Sequence, residues 1–379
     1  MRGDHALLHD GDKPEDRWLW VPACAGTTKK QTIETSMTHD AAIGTIERRY
    51  VPSYGVLVAG LAALVAILFG LSLYLGYANF DLVQALRDVL SGEKTLAALV
   101  LVELRLPRAL LGCVVGFSLG LSGAAMQGLM RNPLAEPGII GVSGTAALGA
   151  VIVFYFGFAG GMTLALPLGG VAGAMVATFL LYGLSGRNAG TTTLILAGVA
   201  INSFAGAMTS LALNLAPNPY AVTEIVYWLL GSLADRSLPY LWLVLPLMAA
   251  GWALLLVSGP ALDGLTLGED TARSLGFNLG RLRLQLIAGT ALAVGSAVAV
   301  TGAISFIGLV VPHLLRPLVA HRPGRLLLVS GLGGAALTLT ADILVRVIPL
   351  RPELKLGVVT AIIGAPFLLS LIYRLRGED

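Results

Sequence analysis

Residues 284–315 read LQLIAGTALAVGSAVAVTGAISFIGLVVPHLL. One helix across a hydrocarbon core of about 30 Å takes about 20 residues, so this run is too long for one span and short for two. Thr301, Gly302, Ser305 and Gly308 offer a turn near its middle. Basic residues arbitrate, because short cytoplasmic loops collect Lys and Arg. Split in two, the run leaves Arg281 and Arg283 on the same side as Arg316, Arg322 and Arg325. Unsplit, it puts those two clusters in opposite compartments. The sequence therefore predicts two spans here.

Outward from this stretch, further apolar runs occupy 56–77, 105–129, 138–158, 163–185, 193–214, 239–257, 326–346 and 355–373. With 284–302 and 306–320 they make about ten transmembrane helices, both termini cytoplasmic. Composition agrees: only 12% of residues are charged, about half the share usual in soluble domains. Backbone polar groups in lipid must be satisfied within the segment, which makes these runs helices. The short alternating strands of a barrel do not occur. The predicted class is an all-α integral membrane protein in a lipid bilayer. The net charge of +3 comes from Lys and Arg scattered among loops, which argues against a nucleic-acid partner. Cys24 and Cys113 support neither a disulfide framework nor a metal site, and Cys113, beside Gly112, reads as a small buried residue.

Residues 1–50 differ from the rest: polar, mixed in charge and without the apolar core of a secretory signal. They read either as a disordered cytoplasmic tail or as an upstream extension of a protein that starts at Met37. The transmembrane domain is expected over 51–376. Within it, Gly112, Gly116, Gly120 and Gly123 form a ladder of small residues that lets helices approach closely. Residues 215–238 hold a short amphipathic stretch with Tyr227 and Trp228, expected as an interfacial helix on the outer side. The longest polar loop, 259–283, reads as two short cytoplasmic helices joined by turns. Its Leu265, Leu267, Leu275, Phe277 and Leu279 are more than a solvated loop needs and suggest a docking surface.

Several motifs occur in order: RLPR at 105–108, SGAAMQ at 122–127, NPLAEPG at 132–138, LAGVA at 196–200 and WLLGSL at 228–233. LG at 267–268, ARSLG at 272–276, FIGLVVPH at 306–313, ADILVR at 341–346 and GVVTAIIGAP at 357–366 follow. The set resembles the FecCD-type permeases, which include the vitamin B12, haem and ferric-siderophore importers, and covers roughly residues 50–376. The resemblance implies the fold of a type II ATP-binding-cassette importer permease. It also implies a homodimer with its pathway at the interface, two cytoplasmic ATPase subunits and a periplasmic substrate-binding protein. No G-x-x-x-x-G-K-[ST] phosphate loop occurs in the chain, so ATP hydrolysis is expected in a separate subunit.

By the same resemblance, Arg105, Arg108 and Arg346 dock the binding protein, although arginines at a helix end also snorkel for no further reason. Asn132 and Leu134, with Thr191 and Thr192 in the loop before the fifth span, match a cytoplasmic gate; ordinary turn and cap chemistry is the alternative. Leu267, Gly268, Ala272, Arg273, Leu275, Gly276 and Phe277 match the surface that couples to the ATPase. His313 is read as structural. The expected cargo is an iron chelate, ferric siderophore or haem, with cobalamin as the alternative and no cofactor of the chain's own. An ion-coupled secondary transporter is the rival. It usually keeps ionisable groups near the bilayer midplane, whereas Glu103, Glu136 and Asp342 are all expected near span ends.

Overall fold

The computed structural model describes residues 53–76, 81–156, 164–185, 190–216, 219–348, 350 and 353–375. The extension 1–50, Met37 included, lies outside them. From the N-terminus, α1 (Tyr54–Tyr74) is followed by α2 (Leu82–Ser91) and α3 (Leu96–Leu99). A π-helical turn, Val100–Arg105, joins α3 to α4 (Leu106–Met130). A 3-10 turn, Pro137–Ile140, leads into α5 (Val142–Tyr155), then α6 (Ala165–Ser185), α7 (Thr191–Asn214), α8 (Pro219–Leu229) and α9 (Leu238–Val257). Two short helices follow, α10 (Gly259–Leu265) and α11 (Glu269–Ser274). Next, α12 (Leu279–Thr290) continues through a π turn into α13 (Ser296–Thr301). The chain closes with α14 (Ile307–Leu315), α15 (Pro323–Val347) and α16 (Leu356–Leu375).

Seven helical runs among the described residues are long and apolar enough to cross a membrane, and α5, α14 and α16 are shorter apolar helices. These ten stand at the ten runs read from the sequence, and the 284–315 stretch does break between Thr301 and Ile307. Helix α8 falls where an interfacial helix was expected, with Lys355 Nζ 5.3 Å from the Tyr227 ring centroid. Helix α2 was not anticipated. Asp81 caps it, accepting from Val83 and Gln84 N–H at 2.8 and 3.3 Å, and left-handed Gly92 ends it.

The centre of the bundle is the antiparallel pair α4 and α15. Glycines make it possible: a Cβ at Gly116 would run into Gly334 O, and one at Gly120 into Ser330 O. Close backbone contact replaces the hydrophobic drive that lipid cannot supply between helices. Gly123 meets the backbone of Gly308 in the same way.

That contact fixes the depth of the break. Arg108 and Arg131 mark the two ends of α4, about 35 Å apart at 1.5 Å per residue. Gly308 packs on Leu119 O and on Pro137, so both 302–308 and 136–140 lie near mid-depth. The expected turn at the membrane surface is therefore a turn inside the bundle. The expected spans 306–320 and 138–158 begin in the middle, which is why α14 and α5 are short. Non-helical backbone at this depth is tolerated only when it is buried in protein or lines a cavity. Both conditions hold here. Phe306, left-handed at φ 70°, donates its N–H to Glu136 Oε1 at 2.9 Å. Beside them lies a cavity of about 400 Å³, bordered by Glu136, Ser143, Asn202, Ser203 and Ser305.

Candidate functional site

Arg105, Arg108 and Arg346 converge at one end of the bundle, brought there by the start of α4 and the last turn of α15. They are not displayed on the surface. Arg105 and Arg346 are each 6% exposed. The last turn of α1 leaves carbonyls without helical partners and carries the negative end of its dipole. Arg105 donates to Leu73 O and Tyr74 O at 2.8 and 2.6 Å, and Arg346 to Ser72 O and Leu75 O at 2.8 and 3.0 Å. Asp342 lies between the other two guanidiniums. Its Oδ1 accepts from Arg108 Nε at 2.8 Å, and its Oδ2 lies 2.9 Å from Arg346 Nη2, paired by charge although the angle falls short of a hydrogen bond. Arg108 also pairs with Glu353. The cluster opens into a cavity of about 510 Å³ that Glu103, Asp235 and Arg236 also line. The partners Ser72, Asp342 and Glu353 were not foreseen. Charge balance is the signal that could have found them, since three buried cations require carboxylates or carbonyls nearby.

At the opposite end, α10 and α11 are the two short helices expected of 259–283. Left-handed Gly268 and Gly276, at φ 105° and 89°, make the turns. The expectation that all five apolar residues of this loop face outward is corrected. Leu267 and Leu275 are 65% and 58% exposed, while Leu265 and Leu279 are buried. Phe277 is half-buried, its ring against Gly264. Ala272 is fully buried, and Arg273 lies on the surface, paired with Glu269 and Asp270 at 3.2 and 2.8 Å. Glu269 also holds Arg283 at 2.9 Å, which seats α11 on α12. The exposed part of the surface is therefore Leu267, Arg273, Leu275 and Gly276.

Asn132 and Leu134 lie where the chain leaves α4, and Asn132 Oδ1 accepts from Leu134 N–H at 2.9 Å, an Asx turn. Thr191 and Thr192 belong to the first turn of α7 and not to the preceding loop; Thr192 is exposed. The two pairs stand on separate elements that meet deeper, where Gly198 of α7 leaves room for Ile139 O.

Between the ends, Glu136 is the correction of most consequence. Expected near a span end, it sits at mid-depth, capping α14 through Phe306. On α7, Asn202 and Ser203 are exposed halfway along a membrane helix, where lipid offers polar groups no partner. His313 stacks edge-on against Phe367 with ring centroids 5.6 Å apart. Among the described residues no cluster of three or more His, Cys, Asp or Glu is placed to hold a metal.

The sequence profile of the FecCD transport family matches residues 64–374. An uncharacterized ABC transporter permease protein, YvrB of Bacillus subtilis, is 41% identical over 73% of this chain and 80% of its own length. The vitamin B12 import system permease protein BtuC of Klebsiella pneumoniae is 38% identical over 82% of this chain and 94% of its own. The hemin transport system permease protein HmuU of Yersinia pestis is also 38% identical, over 73% of this chain and 84% of its own. A solved structure of a metal-chelate type ABC transporter in an inward-facing conformation superposes with a TM-score of 0.73 at 30% identity. It covers 85% of this chain and 99% of the other.

Proposed function

The chain belongs to the FecCD transport family and is a multi-pass inner-membrane permease of an ABC importer; we propose that it moves an iron chelate, haem or ferric siderophore, from periplasm to cytoplasm. The observation that carries the coupling half of this reading is the pair α10 and α11. They present Leu267 and Leu275 to solvent at the end opposite the arginine cluster. A separate ATPase seated on those leucines would move α10 and α11 together with α12, through the Glu269–Arg283 pair. That end is then cytoplasmic, as are both termini, and the arginine end faces the periplasm.

There the binding protein docks. An acidic side chain entering the 510 Å³ cavity competes with Glu353 for Arg108 and finds Arg105 and Arg346 behind it. Guanidinium suits this exchange, since it pairs bidentately with carboxylate and keeps its charge. A second copy of the chain covers the polar face of α7. Asn202 and Ser203 then line a pathway between protomers, with Asn132, Leu134, Thr191 and Thr192 as its gate at the cytoplasmic end. Cobalamin is the second reading, and the similarity to BtuC favours it.

The test is the complete complex in proteoliposomes, offered haem, a ferric siderophore or cobalamin in turn. ATP-dependent uptake of one of them fixes the cargo. Uptake of none, by a complex whose ATPase is active, overturns the reading.

A further inference from the structure

At the α10–α11 end a third, smaller cavity of about 210 Å³ lies between α4 and α15. Arg131, Arg316 and His321 line it together with Gln127, Thr266 and Pro323. No carboxylate of the described residues comes within ion-pair distance of these three basic side chains. The carboxylate of Asp263 is not among the lining residues and caps the start of α15 instead, accepting from Gly324 N–H at 2.7 Å. Arg316 donates from Nη2 to Gln127 Oε1 at 2.6 Å, and Gln127 donates in turn to Leu309 O at 3.2 Å, so this guanidinium is fixed at the cavity wall. Its Nε is buried and has no hydrogen-bond partner. Arg131 and His321 are both left-handed, at φ 48° and 59°, and this backbone brings them to the rim. The first turn of α15, through Pro323 and Leu326, closes one side.

We propose that this cavity binds a phosphate group, as the headgroup of an anionic phospholipid or as free phosphate. A fixed guanidinium, a second at the rim and an imidazole supply directed donors with no carboxylate among the lining residues, which suits a tetrahedral oxyanion. Basic pockets between membrane helices at the headgroup level recur as sites for anionic lipids. The cavity also touches Thr266, which follows α10 directly, so an occupant would stiffen the root of that helix. None of this depends on the transported cargo.

The experiment uses the purified full chain and the double variant Arg131→Asn with His321→Asn. Asn tolerates the left-handed backbone at both positions, and the Arg316–Gln127 bond is untouched. Inorganic phosphate is titrated by calorimetry. In parallel, native mass spectrometry scores lipid kept from nanodiscs of mixed phosphatidylglycerol and phosphatidylcholine. Phosphate binding weakened on the order of tenfold or more in the double variant supports the site with the free ion as occupant. Retention of phosphatidylglycerol alone, lost in the variant, supports the lipid headgroup. Arg131→Lys should keep either signal. Equal binding by wild type and double variant, or binding of neither probe by wild type, overturns the proposal.

Discussion

Asp342, 1% exposed, holds Arg108 at 2.8 Å from a position that also faces Arg346 one helical turn further along α15. The carboxylate joins α4 to α15 and, through Arg346 and Ser72, joins both to α1. Removing one partner of a buried ion pair leaves the other charge desolvated, at a cost of about 3–5 kcal/mol. Asp342→Ala leaves Arg108 only Glu353 and Arg346 only neutral acceptors, so unfolding in detergent should come at a markedly lower temperature or denaturant concentration. Asp342→Glu should recover part of the loss. A loss below about 1 kcal/mol for the alanine variant would show that water already satisfies the cluster.

Glu353 is the most exposed partner in that cluster, its side chain 26% accessible. If a binding-protein carboxylate competes with it for Arg108, Glu353→Gln should raise docking affinity severalfold, mainly through faster association. The gain should fade with added salt, since screening acts over about 10 Å at moderate ionic strength. Affinity in nanodiscs across a salt series decides the matter. Unchanged affinity leaves Arg105 and Arg346 to fastening α1 and Arg108 to its pairs with Asp342 and Glu353.

Leu275 and Phe277, two residues apart, should behave differently. Leu275→Asp alters an exposed position and should strip the ATPase from the purified complex while leaving permease stability unchanged. Phe277→Ala removes the ring packed on Gly264 and should lower stability by about 2 kcal/mol, below the 3–5 of a fully buried aromatic. Stoichiometric co-purification of the ATPase with Leu275→Asp would locate the docking surface elsewhere.

Glu136→Gln keeps an oxygen for Phe306 N–H, whereas Glu136→Ala leaves that donor unsatisfied at mid-depth. The alanine variant should lose about 1–3 kcal/mol of stability, and the glutamine variant much less. Equal losses in both would mean that the charge, not the hydrogen bond, holds α14 in place.

How much of this was legible in the sequence follows from what hydropathy measures. It locates apolar runs, so the ten helices and the break near Gly302 could be read directly. The ladder from Gly112 to Gly123 could be read because spacing alone puts its members on one helix face. Depth could not. The segment 132–138, with Asn and two prolines, has the composition of a surface loop, and only its packing on Gly308 places Glu136 inside the membrane. The arginines were found by type and spacing, but the partner of Arg346 is Ser72, 274 residues away, and nothing local signals such a pair. The exposed and buried leucines of 259–283 differ through Gly268, which turns α10 into α11, and Gly276, which turns α11 into α12, in a way that composition does not reveal.

Along its length α1 is scarcely buried by the rest of the chain, and its polar fastenings are at its two ends. Arg105 and Arg346 grip the C-terminal carbonyls, and at the other end Tyr54 donates to Arg325 O at 3.4 Å beneath the Arg325 guanidinium. A chain emerging N-terminus first therefore threads α1 into the bilayer long before Arg325 or Arg346 has been synthesised. Until then only Arg105, which arrives with α4, can hold the helix, by its C-terminal carbonyls. Its full capture waits for α15, and a ribosome that stalls before that helix leaves α1 held at one end only.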